Sequence, residues 1–238
     1  MSLTHDPSDD TYLQLVDNGK DAPSSETGAQ VTPELADKDW VELLREGLTF
    51  DLVGLAPSEP CPFPVIEHRF DLDALPTAFR SEALQLAPGQ HLVGGGRSLP
   101  VVRGLIALAR DLTHHFDDLE AIVWPASQSA IGRRFFESIS TAWLEGGAFP
   151  ALGLTAFKET MDGALQSVGL DFWIGQELRI EPPLSSDKVA ATRLGVRLVN
   201  QLILIGGLED SERIVSPDGS RLIMRPSRNR KFIRVWRE

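Results

Sequence analysis

The run Gln176-Glu177-Leu178-Arg179-Ile180-Glu181 has the most chemically suggestive spacing in the sequence. Read as a strand, it puts Glu177, Arg179 and Glu181 on one face and Gln176, Leu178 and Ile180 on the other, because successive strand side chains point to opposite sides. A charged row of this kind normally faces water. A buried Glu177 would need a partner, most simply an arginine such as Arg133 or Arg193. A carboxylate supported in that way could organise a ligand pocket. Gln176, Trp124 (just past the end of an apolar strand) and His91 are the other candidate contributors to such a site.

Other groups carry weaker signals. Gly94-Gly95-Gly96-Arg97-Ser98 precedes a helix and could offer backbone N–H groups to an anion. Its spacing is neither that of a phosphate-binding loop nor that of a dinucleotide fingerprint, so a turn with Ser98 as N-cap is the plainer reading. His114 and His115 are adjacent and point about 100° apart on a helix, which is wrong for a shared metal. They suit the solvated end of the helix, and no metal is expected there. His68 is isolated. Cys61, flanked by Pro60 and Pro62, has no histidine nearer than His68, and thiolate chemistry needs an electropositive setting. No serine stands in a Gly-x-Ser-x-Gly elbow, and Ser127 and Ser129 read as helix caps. Catalytic residues are therefore unassigned, and no cofactor is implied.

Charge is distributed unevenly. The 238 residues hold 34 Asp and Glu against 23 Lys and Arg, a net of −11. Such a balance repels phosphate backbones and disfavours nucleic-acid binding. From Arg221 onward, however, the chain has Arg221, Arg225, Arg228, Arg230, Lys231, Arg234 and Arg237 against Glu238 alone. Phe232 and Trp236 are interleaved with them. Spacing within the segment gives no clean basic face, and neutralisation of an acidic tail or a neighbouring subunit is the cheaper reading.

The elements that would position these groups follow from pattern. Residues 1–37 are acidic and poor in apolar residues, which reads as a disordered tail, though Tyr12–Val16 alternates weakly. A single folded domain is expected over 38–238, with a division into two subdomains near residue 95. Trp40, Val41, Leu43 and Leu44 suggest a short helix, and Leu48–Leu55 a strand. Four prolines between Pro57 and Pro64 mark a rigid connection. Val65–Phe70 reads as a strand, Leu72–Phe79 as a helical turn, and Leu84 and Leu86 as strand. Long helices are expected near 100–116, 130–144 and 186–205, the last so apolar that it must be central or covered by a partner. Strands are expected at Ala121–Trp124, Ala151–Phe157 and Phe172–Ile180, with a bulge at Gly175. A small antiparallel sheet should end the chain, with turns at Pro217-Asp218-Gly219 and Ser227-Arg228-Asn229. The fold class is α+β, with mixed, mainly antiparallel sheets packed on three long helices.

The order of features after Ala121 also carries a likeness. Ile122-Val123-Trp124-Pro125 ends a strand, and Phe135-Phe136 lies on the next helix. Gly147-Ala148-Phe149-Pro150, Ser167-Val168-Gly169-Leu170 and Phe172-Trp173-Ile174-Gly175-Gln176-Glu177-Leu178-Arg179-Ile180 follow. This resembles a bacterial family of uncharacterised domains in which a Gly-Leu, a Gly and a Glu-Leu-x-Ile element follow a Trp-containing strand. The likeness covers about residues 103 to 205. It implies one folded α/β-type unit and brings no chemistry with it.

The expected role is a non-catalytic protein-interaction or accessory domain that binds a protein partner or forms a homo-oligomer such as a dimer. The alternative is a small-ligand-binding protein or hydrolase-like enzyme with a pocket between the two halves. The start of the chain lacks a basic segment followed by an apolar run, and no stretch is long enough to span a bilayer. With a single cysteine, this points to a bacterial cytoplasmic protein away from membranes.

Overall fold

The computed structural model describes residues 12–17, 40–216 and 218–238. The chain is α+β, with two sheets and three long helices. It divides into two units, Met1–Pro125 with Ala130–Leu144, and Ala126–Ser129 with Glu145–Glu238. The boundary expected near residue 95 is therefore displaced. Helix α1 (Leu99–Leu112), which starts just past that point, packs back on strands of the first sheet and belongs with them.

The first unit holds β1 (Leu13–Asp17), β2 (Trp40–Arg45), β3 (Leu48–Val53), β4 (His68–Phe70), β5 (Glu82–Pro88), β6 (Leu119–Trp124) and β7 (Ser129–Gly132), in the order β2-β3-β5-β1-β6-β7-β4. The largest departure from the sequence reading is β1. It lies inside the stretch expected to be a disordered tail, yet it sits mid-sheet, with Leu15 opposite Leu84 on one side and Ile122 on the other. Leu13, Leu15 and Val16 are fully buried. Three apolar residues suffice when two strands complete their hydrogen bonds, a tertiary effect that local composition does not register. The rest of the expected tail, and Pro217 of an expected turn, lie outside the described residues.

Both faces of this sheet are covered. Val16 clusters with Ala121, Val123 and Ala130 under Phe63, Ile66 and Leu72, and the buried Gln14 donates its Nε2 to the Pro62 carbonyl at 3.0 Å. The proline-rich segment is thus a lid on the sheet. On the other face α1 buries Val101, Val102, Leu105, Ile106 and Ala109, and α2 (Arg133–Leu144) buries Phe136, Ser140 and Trp143. The expected helix at Trp40–Leu44 is strand β2, because Glu46 and Gly47 both take positive φ and fold it straight back on β3 as a tight hairpin. Ser129–Gly132, expected as the first turn of a helix, is β7. Leu72–Phe79 forms no helix.

The second unit begins its sheet after a kinked turn, α3 (Ala151–Leu154), where a strand was expected. Strands β8 (Ala156–Glu159) and β9 (Leu165–Val168) form a hairpin. Phe172–Ile180 splits into a turn, α4 (Asp171–Ile174), and strand β10 (Glu177–Ile180). Gly175, read as a bulge, is the left-handed cap between them, at φ +73°. Helix α5 (Lys188–Ile205) is capped by Asp187, whose side chain accepts from the Ala190 N–H. Then come β11 (Glu212–Val215), β12 (Arg221–Pro226) and β13 (Phe232–Arg237). The terminal hairpin is not a sheet of its own. β13 joins β10 in parallel, making one six-stranded sheet, β11-β12-β13-β10-β9-β8.

One face of that sheet packs on α5. Leu165 and Ile180 meet Ala191, with Phe157, Leu184 and Leu194 around them. Gly195 lets the helix close on Phe157, since a Cβ there would lie 2.7 Å from the ring. Of the two expectations for α5, central or covered by a partner, the first holds for one side only: Ala191, Leu198, Val199 and Leu202 are buried, while the apolar Val189, Leu204 and Ile205 are exposed. No helix among the described residues is long and apolar enough to cross a membrane.

Candidate functional site

The face of the second sheet away from α5 brings together residues that are far apart in sequence. Leu178, Ile180, Ile233, Val235, Leu222 and Met224 are buried. Strand alternation therefore sends Arg179, Arg234 and Arg225 to the opposite side. Register then aligns them. Arg179 stands directly opposite Arg234, and Arg234 directly opposite Arg225. The row continues through Gln166 to Lys158 on β8. Phe232 and Trp236 flank Arg234 on the same face of β13, both partly exposed. Spacing inside the C-terminal segment shows no such row, because one of its members comes from β10 through a parallel pairing.

Like charges directly opposite on neighbouring strands are destabilising. Two of the three guanidinium groups are compensated by Glu181, which is only 5% exposed. Its Oε1 accepts from the Arg179 Nε at 2.9 Å and from the Arg234 Nε at 2.5 Å. Arg179 also pairs with Asp162. The bond to Glu181 holds the Arg234 guanidinium above its ordinary pKa. Only the Nε of Arg234 is used in that bond, and its side chain keeps 44% of its exposure. The Arg234 guanidinium also lies 5.1 Å from the centre of the Trp236 ring. Arg225 is exposed. The result is a row in which Arg225, Arg234 and Lys158 are exposed and Arg179 is held between two carboxylates, with an aromatic residue on either side of Arg234. Guanidinium groups stay protonated throughout the ordinary pH range, so their charge on this face is permanent.

Glu177 lies at the start of β10 with a different task. Its carboxyl group accepts from the Ser167 hydroxyl, from the Gly169 N–H at 2.7 Å and from the Asp171 N–H at 3.4 Å. Ser167 meanwhile accepts the Leu178 N–H at 2.7 Å, so the β9–β10 ladder opens and the Glu177 side chain closes the loop between the strands. The arginine partners expected from the sequence are not used. Arg133 donates to the carbonyls of Phe116 and Asp117, and Arg193 is exposed on α5. Burial pushes Glu177 up to about 8; the nearby Asp171 carboxylate adds to the rise, while Ser167 and the Gly169 amide oppose it. Gly169 itself has φ +85°, and a Cβ would fall 2.7 Å from the Ala126 carbonyl oxygen.

The remaining sequence candidates are employed elsewhere. Gln176 turns away from Glu177 and is buried, giving its Nε2 to the Leu208 carbonyl at 3.0 Å and accepting the Leu208 N–H at 2.8 Å. It ties the chain leaving α5 to the start of β10. Trp124 is 1% exposed, inside the first unit's core, whereas His91 lies on that unit's surface, 3.4 Å from the Thr49 hydroxyl. His114 reaches Glu137 at 3.4 Å, and Asp111 is engaged by Arg45 and Arg110. No group of three or more potential metal ligands occurs among the described residues. Burial raises the Cys61 thiol above its ordinary value, which suppresses the thiolate. Ser127 and Ser129 are buried and bonded to each other at 2.8 Å instead of capping a helix. No family model, curated protein or solved structure matches the chain.

Proposed function

We propose that the protein is a non-catalytic interaction module whose second unit docks an anionic partner on the open face of its sheet. The observation that carries this reading is the row Arg179–Arg234–Arg225 on three adjacent strands. A like-charge row weakens a sheet, and Glu181 offsets it for only two of the three members. Arg179 is held by two carboxylates and its side chain is 16% exposed, so it is the Arg234–Arg225 end of the row that faces solvent. An exposed feature that opposes stability is the kind that binding retains. The net charge of −11 does not oppose it, because a partner approaching this face meets the local field within a Debye length of about 8 Å.

Fluorescence anisotropy with two labelled anionic probes, a poly-glutamate peptide and a single-stranded oligonucleotide, tests the proposal. Binding of at least one probe should weaken steeply with salt and fall at least tenfold in Arg225→Glu. Failure of both probes to bind at low salt, with the protein shown folded by circular dichroism, would refute it.

A further inference from the structure

We propose that the anionic partner is a single-stranded nucleic acid, its backbone along the arginine row and its bases on Phe232 and Trp236. This inference rests on the anion-docking reading of the same face and goes one step further, to the chemistry of the occupant. Charge alone does not distinguish an acidic peptide from a nucleic acid, but the aromatic residues do. Phe232, Arg234 and Trp236 alternate along one side of β13, so two rings bracket one cation on a sheet face away from the helix. Bases have flat π-faces that stack on such rings whatever their sequence, and a groove or stripe of Lys and Arg tracks the phosphates. Carboxylate side chains have no use for the rings.

The face extends in both directions. Phe232 and Trp236 are four residues apart along the strand, roughly 13 Å at the usual rise. Across the strands the row from Lys158 to Arg225 covers four strand intervals, about 19 Å. The turn joining β12 to β13 adds Arg228, Arg230 and Lys231, all exposed, beside the Phe232 end of the face. The overall negative charge that disfavours nucleic acid in the sequence is an average over the chain, whereas binding reads the local field.

The test uses the full chain and a labelled 12-nucleotide oligo-dT, with the poly-glutamate peptide as the second probe. Oligo-dT should bind with an affinity that falls about a hundredfold or more per tenfold rise in salt, as three or more neutralised phosphates would require. Trp236→Leu and Phe232→Leu keep apolar bulk and remove the ring. Each should lower oligo-dT affinity by about tenfold, within the range for one stacked base, and leave any poly-glutamate binding unchanged. Thermal melts of both variants verify the fold. Oligo-dT binding that is equal in wild type and both leucine variants would overturn the stacking proposal. So would poly-glutamate binding without oligo-dT binding, which would leave the anion-docking reading intact with an acidic protein as the partner. If neither probe binds, both readings fail together.

Discussion

Each of the two sheets lines up three like residues on three adjacent strands, with opposite chemistry. In the first, Leu52, Leu86 and Leu13 stand directly opposite one another on β3, β5 and β1, all nearly or fully buried. In the second, Arg225, Arg234 and Arg179 do the same on β12, β13 and β10. The geometry is shared, and the difference lies in what covers it. A leucine row holds two layers together because it removes apolar surface from water. An arginine row holds nothing together by itself and persists only with a counter-charge or a use. The first sheet, closed by helices on one face and the proline-rich segment on the other, is a structural body. The second closes one face with α5 and leaves Lys158, Arg225 and Arg234 exposed on the other.

The comparison breaks most sharply at its apolar end. Leu86→Ala, in the middle of the leucine row, should destabilise the first unit by about 2–5 kcal/mol, the range for a buried leucine whose cavity cannot collapse. Urea denaturation followed by tryptophan fluorescence measures it. A loss below about 1 kcal/mol would mean that the sheet is not closed on that face.

At the charged end, the counter-charge is the sensitive point. Glu181→Ala leaves Arg179 and Arg234 facing each other with only Asp162 nearby. A loss of about 2–3 kcal/mol is expected, below the full range for a broken buried pair because both arginines retain contact with water. The same substitution made in an Arg234→Ala background should cost distinctly less, and a double-mutant cycle in denaturant reads that difference. Equal losses in the two backgrounds would show that Glu181 does not compensate Arg234.

Glu177 distinguishes the two regions by pH. Its carboxyl group titrates near 8 in the fold against an ordinary value of 4.5. Between those values the folded chain holds a proton that the unfolded chain has released. Stability from this group is therefore complete below about pH 4.5, declines as pH rises, and levels off above about 8. Roughly 2 kcal/mol should be lost between pH 6 and 9, after a discount for the part of the side chain open to water. Glu177→Gln, which retains the shape and has nothing to ionise, should flatten the dependence. Urea midpoints measured across that pH range decide it. A wild type as flat as the variant would place the Glu177 carboxyl at an ordinary pKa.

The parts of this architecture that sequence makes legible are those whose signal is local. The three long helices follow from apolar residues at helical spacing, and the alternation in Gln176–Glu181 assigns Leu178 and Ile180 to the core face correctly. Three failures have one cause, a partner distant in sequence. Leu13–Asp17 looks like tail because five residues of weak alternation become a strand only between β5 and β6. Gln176 and Glu177 look like neighbours in one site, yet one bonds Leu208 and the other Ser167 and Gly169. The arginine row is invisible because parallel pairing joins β10 to β13 across more than fifty residues. Trp40–Leu44 fails for a different reason. Its apolar spacing suits helix and strand alike, and the tight turn at Glu46-Gly47 decides for the hairpin.

The smallest expected effect separates structure from use most cleanly. Arg225 stands opposite Arg234 at the open end of the row, and no ion pair to it is found among the described residues. Replacing it with alanine removes a cross-strand repulsion of about 0.2–1 kcal/mol, so Arg225→Ala should be as stable as the wild type or slightly more stable. Its affinity for a polyanion should nevertheless drop several-fold, with a shallower salt dependence, because one phosphate contact fewer releases one counter-ion fewer. A structural arginine would show the reverse pattern, with lost stability and unchanged binding. Stability and affinity moving in opposite directions in a single variant, measured by thermal melting and anisotropy on the same preparation, is the signature of a residue kept for its partner.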